Sequence, residues 1–290
     1  MRTIRRTLYY PSRSNTFRLF HITDTHVGHR GCDEKLLKAT VSQIADDEFA
    51  FWGGGGDYCD FIPRKGDKRY RESTLAPWLN GLDDVAKREE EHFLSIVKPI
   101  ASKCLYLGKG NHEDTICSYY DSDPYRHIAT QIAEWSGRGV SDLALGWDGF
   151  VVLTFRRGTP SHYGGSWGMT LYTHHGAGGG RKAGGHALRL EEMISTYDSD
   201  VVLAGHRHIK QMIGVQTVSP RGGGIKIRQR LGAFCPSLLK AYLDDDSEGM
   251  PRDNYPQMKQ LPPTEVGVMQ IEIKPSDRSI TFPFGMAMGR

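Results

Sequence analysis

Five times along this chain a short apolar run ends in residues able to bind a cation. Asp24-Thr25-His26 follows the run 17–23, and Gly56-Asp57-Tyr58-Cys59-Asp60 follows 50–52 and a stretch of glycines. Gly110-Asn111-His112-Glu113 follows 104–107, His174-His175 follows 169–173, and Gly205-His206-Arg207-His208 follows 201–204. Short apolar runs bounded by turn residues read as strands, and helical patterns fall between them. Asp33 is placed to cap a helix bearing Leu37, Val41 and Ile44. A long helix over 82–102 stops near Pro99, which cannot donate its backbone hydrogen bond. Further helices are expected over 124–136 and around Leu190, Met193, Ile194 and Tyr197. Alternating strands and helices predict an α/β sheet fold. Ligands of such sheets gather beyond the carboxyl ends of the strands, so the five sets of polar residues can converge on one site.

After Gly149 strands dominate, over 150–155, 169–173, 224–230, 266–274 and 279–284, the last three as a second sheet. An acidic turn at 244–248 opens a Pro-rich loop over 244–264. No repeat or linker divides the 290 residues, so one domain over 1–290 is expected. Its metal-binding motifs fall in 17–210, its second-sheet strands and Pro-rich loop in 211–290. The 34 glycines follow no Gly-X-Y period, which excludes collagen, and the aromatic content excludes a disordered chain. No apolar run approaches the ~18 residues of a membrane-spanning helix, so a membrane partner is not expected. Five cysteines without a CxxC pair suit free thiols in a reducing compartment. Arg5-Arg6 leads into Pro11, Ser12 and Arg13 rather than an apolar stretch, so no export signal is visible and a cytoplasmic location is expected.

Carboxylates, imidazoles and one amide oxygen suit borderline divalent ions such as Mn2+, Fe2+ or Zn2+ better than Ca2+ or an iron–sulfur cluster. A carboxylate such as Asp57 has two oxygens and can bridge two ions ~3.5–4 Å apart, as two-metal hydrolases require. An isolated Asp-x-His or Gly-Asp is commonly only a turn. Five such signals, each at a strand end, are not a coincidence of composition. His21, His92, His127 and His162 match no motif and read as core or surface residues. His29 and Arg30 follow the first motif, while Arg181, Lys182 and His186 follow a glycine-rich loop, where phosphate contact competes with a solvated loop.

In this combination the chain resembles the calcineurin-like metallophosphoesterases, over residues 17 to about 210. The segments 175–181 and Ser237-Leu238-Leu239-Lys240 look most like bacterial and phage members. The resemblance implies an α/β fold, a two-sheet β-sandwich flanked by α-helices, with a dinuclear metal site at the C-terminal edge of the strands. One ion would take Asp24, His26, Asp57 and His208. The other would take Asp57, Asn111, His206 and one histidine of the 174–175 pair; His174 is favoured and His175 is the alternative. Mn2+ is the expected metal, with Fe, Zn or Ni as alternatives. His112 would be the general acid and Asp60 would orient it by a hydrogen bond. His175, Arg181 and Arg30 are the expected substrate contacts.

The resemblance thus implies hydrolysis of a phosphoester, a phosphodiester above all, by water activated between two ions. A nuclease of the same superfamily is the first alternative, favoured by the Arg-rich N-terminus and a pI near 8.5, with nucleic acid as the partner. A phosphomonoesterase or phosphoprotein phosphatase is weaker, because Phe61 stands where phosphoprotein phosphatases carry Arg. A non-catalytic scaffold is disfavoured because every ligand position is filled.

Overall fold

Strand β2 (Phe17–Ile22) divides its side chains between two cores. Phe17 and Leu19 face a core shared by two sheets, while Phe20 and Ile22 face helices, as the two-residue period of a strand requires. The computed structural model describes residues 1–63, 66–180, 182–221, 223–243, 256 and 259–283.

In one sheet β2 is joined in parallel to β3 (Ala50–Gly54), which pairs in turn with β4 (Cys104–Gly108) and then β5 (Ala144–Gly146). On the other side of β2, β11 (Met269–Lys274) and β12 (Ser279–Thr281) are antiparallel. The second sheet holds β1 (Arg2–Tyr10), β6 (Asp148–Gly158), β7 (Tyr163–His174), β8 (Val201–Ala204), β9 (Gln211–Arg221) and β10 (Gly224–Phe234). Their order across it is β1-β6-β7-β8-β10-β9. Val151, Leu153, Phe155, Met169 and Leu171 of this sheet meet Leu19, Leu105, Ile271 and Ile273 of the first.

Helices α1 (Glu34–Asp46), α2 (Val85–Val97) and α4 (Pro124–Trp135) cover the outer face of the first sheet with Leu37, Phe93 and Ile128. Helix α5 (Ala183–Thr196) covers the second with Leu190, Met193 and Ile194 against Tyr172, Val202 and Phe234. Helix α3 (Asn111–Tyr119) leaves the end of β4. This is the β-sandwich flanked by helices that the resemblance implies. Asp33 caps α1 as expected, accepting from the Leu36 N–H at 3.0 Å. Pro99 breaks the expected long helix: α2 ends at Val97 and a 3-10 turn carries the chain to Lys103.

Three readings need correction. The late strands do not form one second sheet: β10 joins β8 in the sheet of β6 and β7, whereas β11 and β12 extend the sheet of β2. The Arg-rich N-terminus is not an arm but an edge strand, paired in parallel with β6 from Arg2↔Gly149 to Tyr10↔Arg157. Its Ile4 and Tyr10 enter the core, which its charges conceal in the sequence. The four glycines before Asp57 have a steric cause. A Cβ on Gly53 would stand 2.1 Å from the Tyr106 ring, and one on Gly54 2.3 Å from the Tyr58 hydroxyl. The strand thus continues through Gly54, and large aromatic rings occupy the space its side chains would need. The acidic turn at 244–248 and Phe284 lie outside the described residues. Among the described residues no helix is long and apolar enough to cross a membrane.

Gly53→Ala must therefore displace the Tyr106 ring, whose hydroxyl meets His21 Nδ1 at 2.9 Å. Overpacking of this kind costs about 1–3 kcal/mol, expected as a lowered urea midpoint at unchanged slope. A midpoint equal to wild type would contradict the steric account.

Candidate metal centre

Parallel pairing levels the carboxyl ends of β2, β3 and β4 and those of β7 and β8, and contacts of His175 with Asp57 and of His206 with Asp24 bring the two sets to the same edge. Beyond β2 and β3 the backbones stay paired. Asp24 N–H donates to Gly56 O at 3.0 Å, Thr25 and His26 N–H to Asp57 O at 2.9 and 3.2 Å, and Val27 N–H to Tyr58 O at 3.1 Å. Asp24 O itself accepts from Leu238 N–H at 3.0 Å and Ser237 Oγ at 2.7 Å. Within this frame Asp24, His26, Asp57, His206 and His208 all take positive φ, between 48° and 68°. Only a few per cent of non-glycine residues do so. Their concentration here marks a place where the surroundings dictate the backbone, as functional sites do.

Among the described residues three groups of side chains could hold a cation; one, His26, Asp60 and His112, overlaps the first of the two that follow through His26. In the first, Asp24 Oδ1 lies 3.1 Å from His208 Nε2, and His208 Nε2 lies 3.3 Å from His26 Nε2. In the second, His175 Nε2 lies 3.1 Å from Asp57 Oδ2 and 3.2 Å from Asn111 Oδ1, with His206 completing the set. Asp57 links the two groups electrostatically, its charge acting on both Asp24 and His26. Its Oδ1 accepts the His112 N–H at 2.9 Å, and its Oδ2 lies 4.0 Å from His112 Nε2.

This donor set fits divalent cations. His175 Nδ1 donates to Gly55 O at 2.9 Å, so in the neutral ring Nε2 turns a lone pair toward two oxygen acceptors. Backbone carbonyls commonly fix metal-binding imidazoles in this way. A positive charge is needed between these three acceptors, and in the cation-free protein a proton supplies it. Burial opposes charge on His175, yet Asp57 and Asp24 carry it up to about 10. His26 is pulled down to about 4, chiefly by burial, so it is neutral at pH 7. Asp24 and Asp57, although burial alone would raise them, are held well below the usual carboxylate range by the surrounding histidines.

The favoured ligand His174 is not in the cluster. It is the last residue of β7, paired with Ala204, and its Nδ1 accepts the Gly176 N–H at 2.7 Å. Met169 and Leu171 face the core between the sheets and Tyr172 the helix side, so strand alternation puts His175 on the inter-sheet face and His174 on the other. His175 accordingly stands among the candidate ligands rather than at the substrate side. Asp60 holds His112 through its backbone carbonyl, which accepts from Nδ1. The Asp60 carboxylate instead faces His26 Nδ1 at 3.4 Å, and burial notwithstanding it is lowered to about 2 by the nearby histidines. Asp24, His26, Asp57, Asn111, His206 and His208 all reach the two groups. Arg30 is half-buried with its N–H on Thr74 O, His29 folds onto the Gly31 N–H, and His186 accepts from Arg207. Arg181 lies outside the described residues. His21 is a core histidine, as expected.

Two buried glutamates escaped the sequence reading. Glu113 accepts three backbone N–H groups, from Asp57 at 2.9 Å, Tyr58 at 2.7 Å and Gly110 at 2.8 Å. Burial and the Asp57 charge raise it to about 7. Glu89, on α2, accepts the Phe61 N–H at 2.9 Å and is raised by burial and by Asp60. Glu113 adjoins a motif and could have been suspected; nothing local in the sequence singles out Glu89.

No family model and no curated protein sequence matches this chain. Solved structures are similar to it in outline. A predicted phosphoesterase from Streptococcus pneumoniae TIGR4 is 10% identical, covering 92% of this chain and 94% of its own, with a TM-score of 0.34. Vps29 of Entamoeba histolytica, complexed with Zn2+, is 12% identical over 92% and 97%, also with a TM-score of 0.34. A metallophosphoesterase from Sphaerobacter thermophilus is 13% identical over 92% and 87%, with a TM-score of 0.33. At these values the likeness assigns neither fold nor activity to this chain, and both rest on its own strands and side chains.

His175→Ala should lose bound metal that His174→Ala retains, measured by elemental analysis after dialysis; the reverse result would restore His174. Because the folded pKa of His175 is raised, its proton stabilises the cation-free protein fully below the unfolded value of ~6.5. That contribution fades as pH rises toward about 10. A cation displaces this proton, so metal affinity should rise with pH up to about 10, with proton release visible by calorimetry in buffers of different ionisation enthalpy. Equal release from His175→Ala would refute this origin. Asp60→Asn should weaken metal binding ~10–100-fold by freeing His26. Unaltered metal affinity in that variant would show that Asp60 does not orient a ligand.

Proposed function

We propose that this protein is a metal-dependent phosphoesterase of the calcineurin-like type, acting on phosphodiesters in preference to monoesters. The observation that carries this is Asp57, buried between the imidazoles of His175 and His112 and linking two groups that each fit a cation. Bound divalent ions supply Lewis acidity toward phosphoryl oxygens and make water a nucleophile near neutral pH. Asp24, His26 and His208 would hold one, and Asp57, Asn111, His175 and His206 the other. The donors suit Mn2+, Fe2+ or Zn2+ alike.

His112 is built to deliver a proton. Its Nδ1 donates to the Asp60 carbonyl, which leaves Nε2 as the atom whose proton is exchangeable. Burial opposes its charge, but Asp57 and Asp60 raise its pKa above the ordinary histidine value, so the imidazolium persists toward neutral pH. After the proton leaves from Nε2, the remaining tautomer is the one the Asp60 carbonyl already stabilises. That arrangement suits a general acid protonating a departing alkoxide.

The preference for diesters follows from how nearby cations are engaged. Arg207 donates to His186 Nδ1 at 2.8 Å and Ala177 O at 3.1 Å, and Lys109 pairs with Asp114 over the Trp147 ring. Arg207 is tied to uncharged acceptors and Lys109 to a carboxylate, so neither is placed to hold the second charge of a dianionic monoester, and a diester with one negative charge is the better match. The basic N-terminus, as an edge strand, no longer supports a nucleic-acid arm.

Full-length protein supplied with Mn2+ should hydrolyse an aryl phosphodiester faster than the matching monoester; hydrolysis of neither, with metal bound, would refute the reading. His112→Gln should keep its metal and lose ~10²–10⁴-fold in kcat. The loss should be larger for an alkyl leaving group than for an aryl one that departs unprotonated. Equal losses would make His112 a phosphate contact instead.

A further inference from the structure

One face of α3 leads away from the metal centre. Asn111, Thr115 and Tyr119 recur at four-residue spacing and therefore share that face, about 6 Å apart along the axis. Asn111 belongs to the cluster, and Thr115 Oγ1 accepts from Arg69 Nη2 at 3.2 Å. The Tyr119 hydroxyl donates to Gly66 O at 3.4 Å. The segment from Gly66 to Arg69 thus runs antiparallel along the helix, with Arg69 nearer the metals. Asp67 locks the guanidinium, accepting from Nε at 3.1 Å and Nη2 at 2.7 Å. Nη1 makes no hydrogen bond among the described residues. The Arg69 charge is felt by Asp57, Asp60 and His112. Lys68 and Arg71 are exposed on the same segment, and the rings of Tyr119 and Tyr120 are 47% and 46% exposed.

Cations that track a backbone, with exposed aromatic rings beside them, are the recurring means of holding single-stranded nucleic acid. We propose that this face of α3 is a subsite for the leaving strand of a single-stranded polynucleotide. Arg69 takes the phosphate next to the scissile one, and Tyr119 stacks a base beyond it. The assignment rests on the phosphoesterase reading above. His112 and Thr115 share α3, so the track starts on the side where the acid meets the leaving oxygen. Hydrolysis there joins a water oxygen to phosphorus and breaks the bond to the leaving oxygen, which takes the His112 Nε2 proton. The locked fork of Arg69 gives a fixed place for a phosphate at little further entropic cost, in contrast to an unpaired lysine.

The test measures binding of a fluorescent, hydrolysis-resistant phosphorothioate oligonucleotide to the full chain with Mn2+, alongside hydrolysis of bis(p-nitrophenyl) phosphate. Tyr119→Ala should weaken oligonucleotide binding roughly 5- to 100-fold, the range for losing one stacked base. Arg69→Gln should weaken it about tenfold and reduce the salt slope by about 0.7, as expected for one phosphate contact on a single strand. Both variants should lose far more on the oligonucleotide than on the small diester. Tyr119→Phe keeps the ring without its hydroxyl and should bind like wild type; a loss matching Tyr119→Ala would reduce Tyr119 to a pin for the loop and overturn the proposal. So would duplex binding as tight as single-strand binding, or oligonucleotide binding indifferent to both residues. If the small diester is hydrolysed while those results fail, the subsite falls and the phosphoesterase reading stands. If the diester resists while binding depends on both residues, the phosphoesterase reading is the one that fails.

Discussion

Two carboxylates, Asp24 and Asp57, are buried at the meeting point of two sheets, and the local structure answers to the charge they carry. An ionised carboxylate removed from water must find hydrogen-bond donors or a counter-charge, or take up a proton. Asp24 receives the His206 N–H at 3.0 Å on both oxygens and the Thr23 hydroxyl at 2.6 Å. Asp57 receives the His112 N–H on Oδ1. Donors of this kind satisfy only part of each group, and Asp24 Oδ1 and Asp57 Oδ2 also face imidazole nitrogens, of His208 and His175. Such a pocket selects for cations because a cation is the species that completes it.

The fold supplies this pocket by ending strands, not by bending them. Parallel pairing sets the carboxyl ends of β2, β3 and β4 level, and β7 with β8 does the same in the opposite sheet. Glycine then removes the side chains that would fill the space between. A Cβ on Gly110 would stand 2.1 Å from Asp57 Oδ1, and one on Gly205 2.4 Å from Asp24 Oδ2. The glycines of these motifs are therefore spatial requirements of the two carboxylates. Ser237 and Leu238, far along the chain, close the arrangement by bonding the Asp24 carbonyl.

Most of this was legible where chemistry and periodicity coincide. The five ligand sets, the capped helix at Asp33 and the break at Pro99 each follow from a local rule. His175 was within reach too, since the buried alternation of Met169, Leu171 and Thr173 places it on the inner face and His174 on the other. Strand β1 was hidden because its arginines alternate with only a few buried residues, and edge strands tolerate such exposure. The partition of β10 and β11 between sheets was beyond sequence reading, because their partners are not sequence neighbours: β10 pairs with β8 some thirty residues back, and β11 with β2 near the other end of the chain. Arg69 and Glu89 were missed for the same reason, as each acts on a motif distant from it in the chain.

Glu113 and Glu89 explain how so short a segment can hold so many unfavourable conformations. Residues 57–61 begin and end with left-handed residues, Asp57 at φ 51° and Phe61 at φ 45°. The N–H of Asp57 is taken by Glu113 and that of Phe61 by Glu89, so a buried carboxylate grips each strained end. The two glutamates sit on α3 and α2, which makes the helices, not the loop, responsible for the placement of Asp57 and Asp60. Each grip has an electrostatic cost: burial disfavours the ionised carboxyl, and the charge of Asp57 beside Glu113 and of Asp60 beside Glu89 disfavours it further. That repulsion, with burial, is what raises both glutamates.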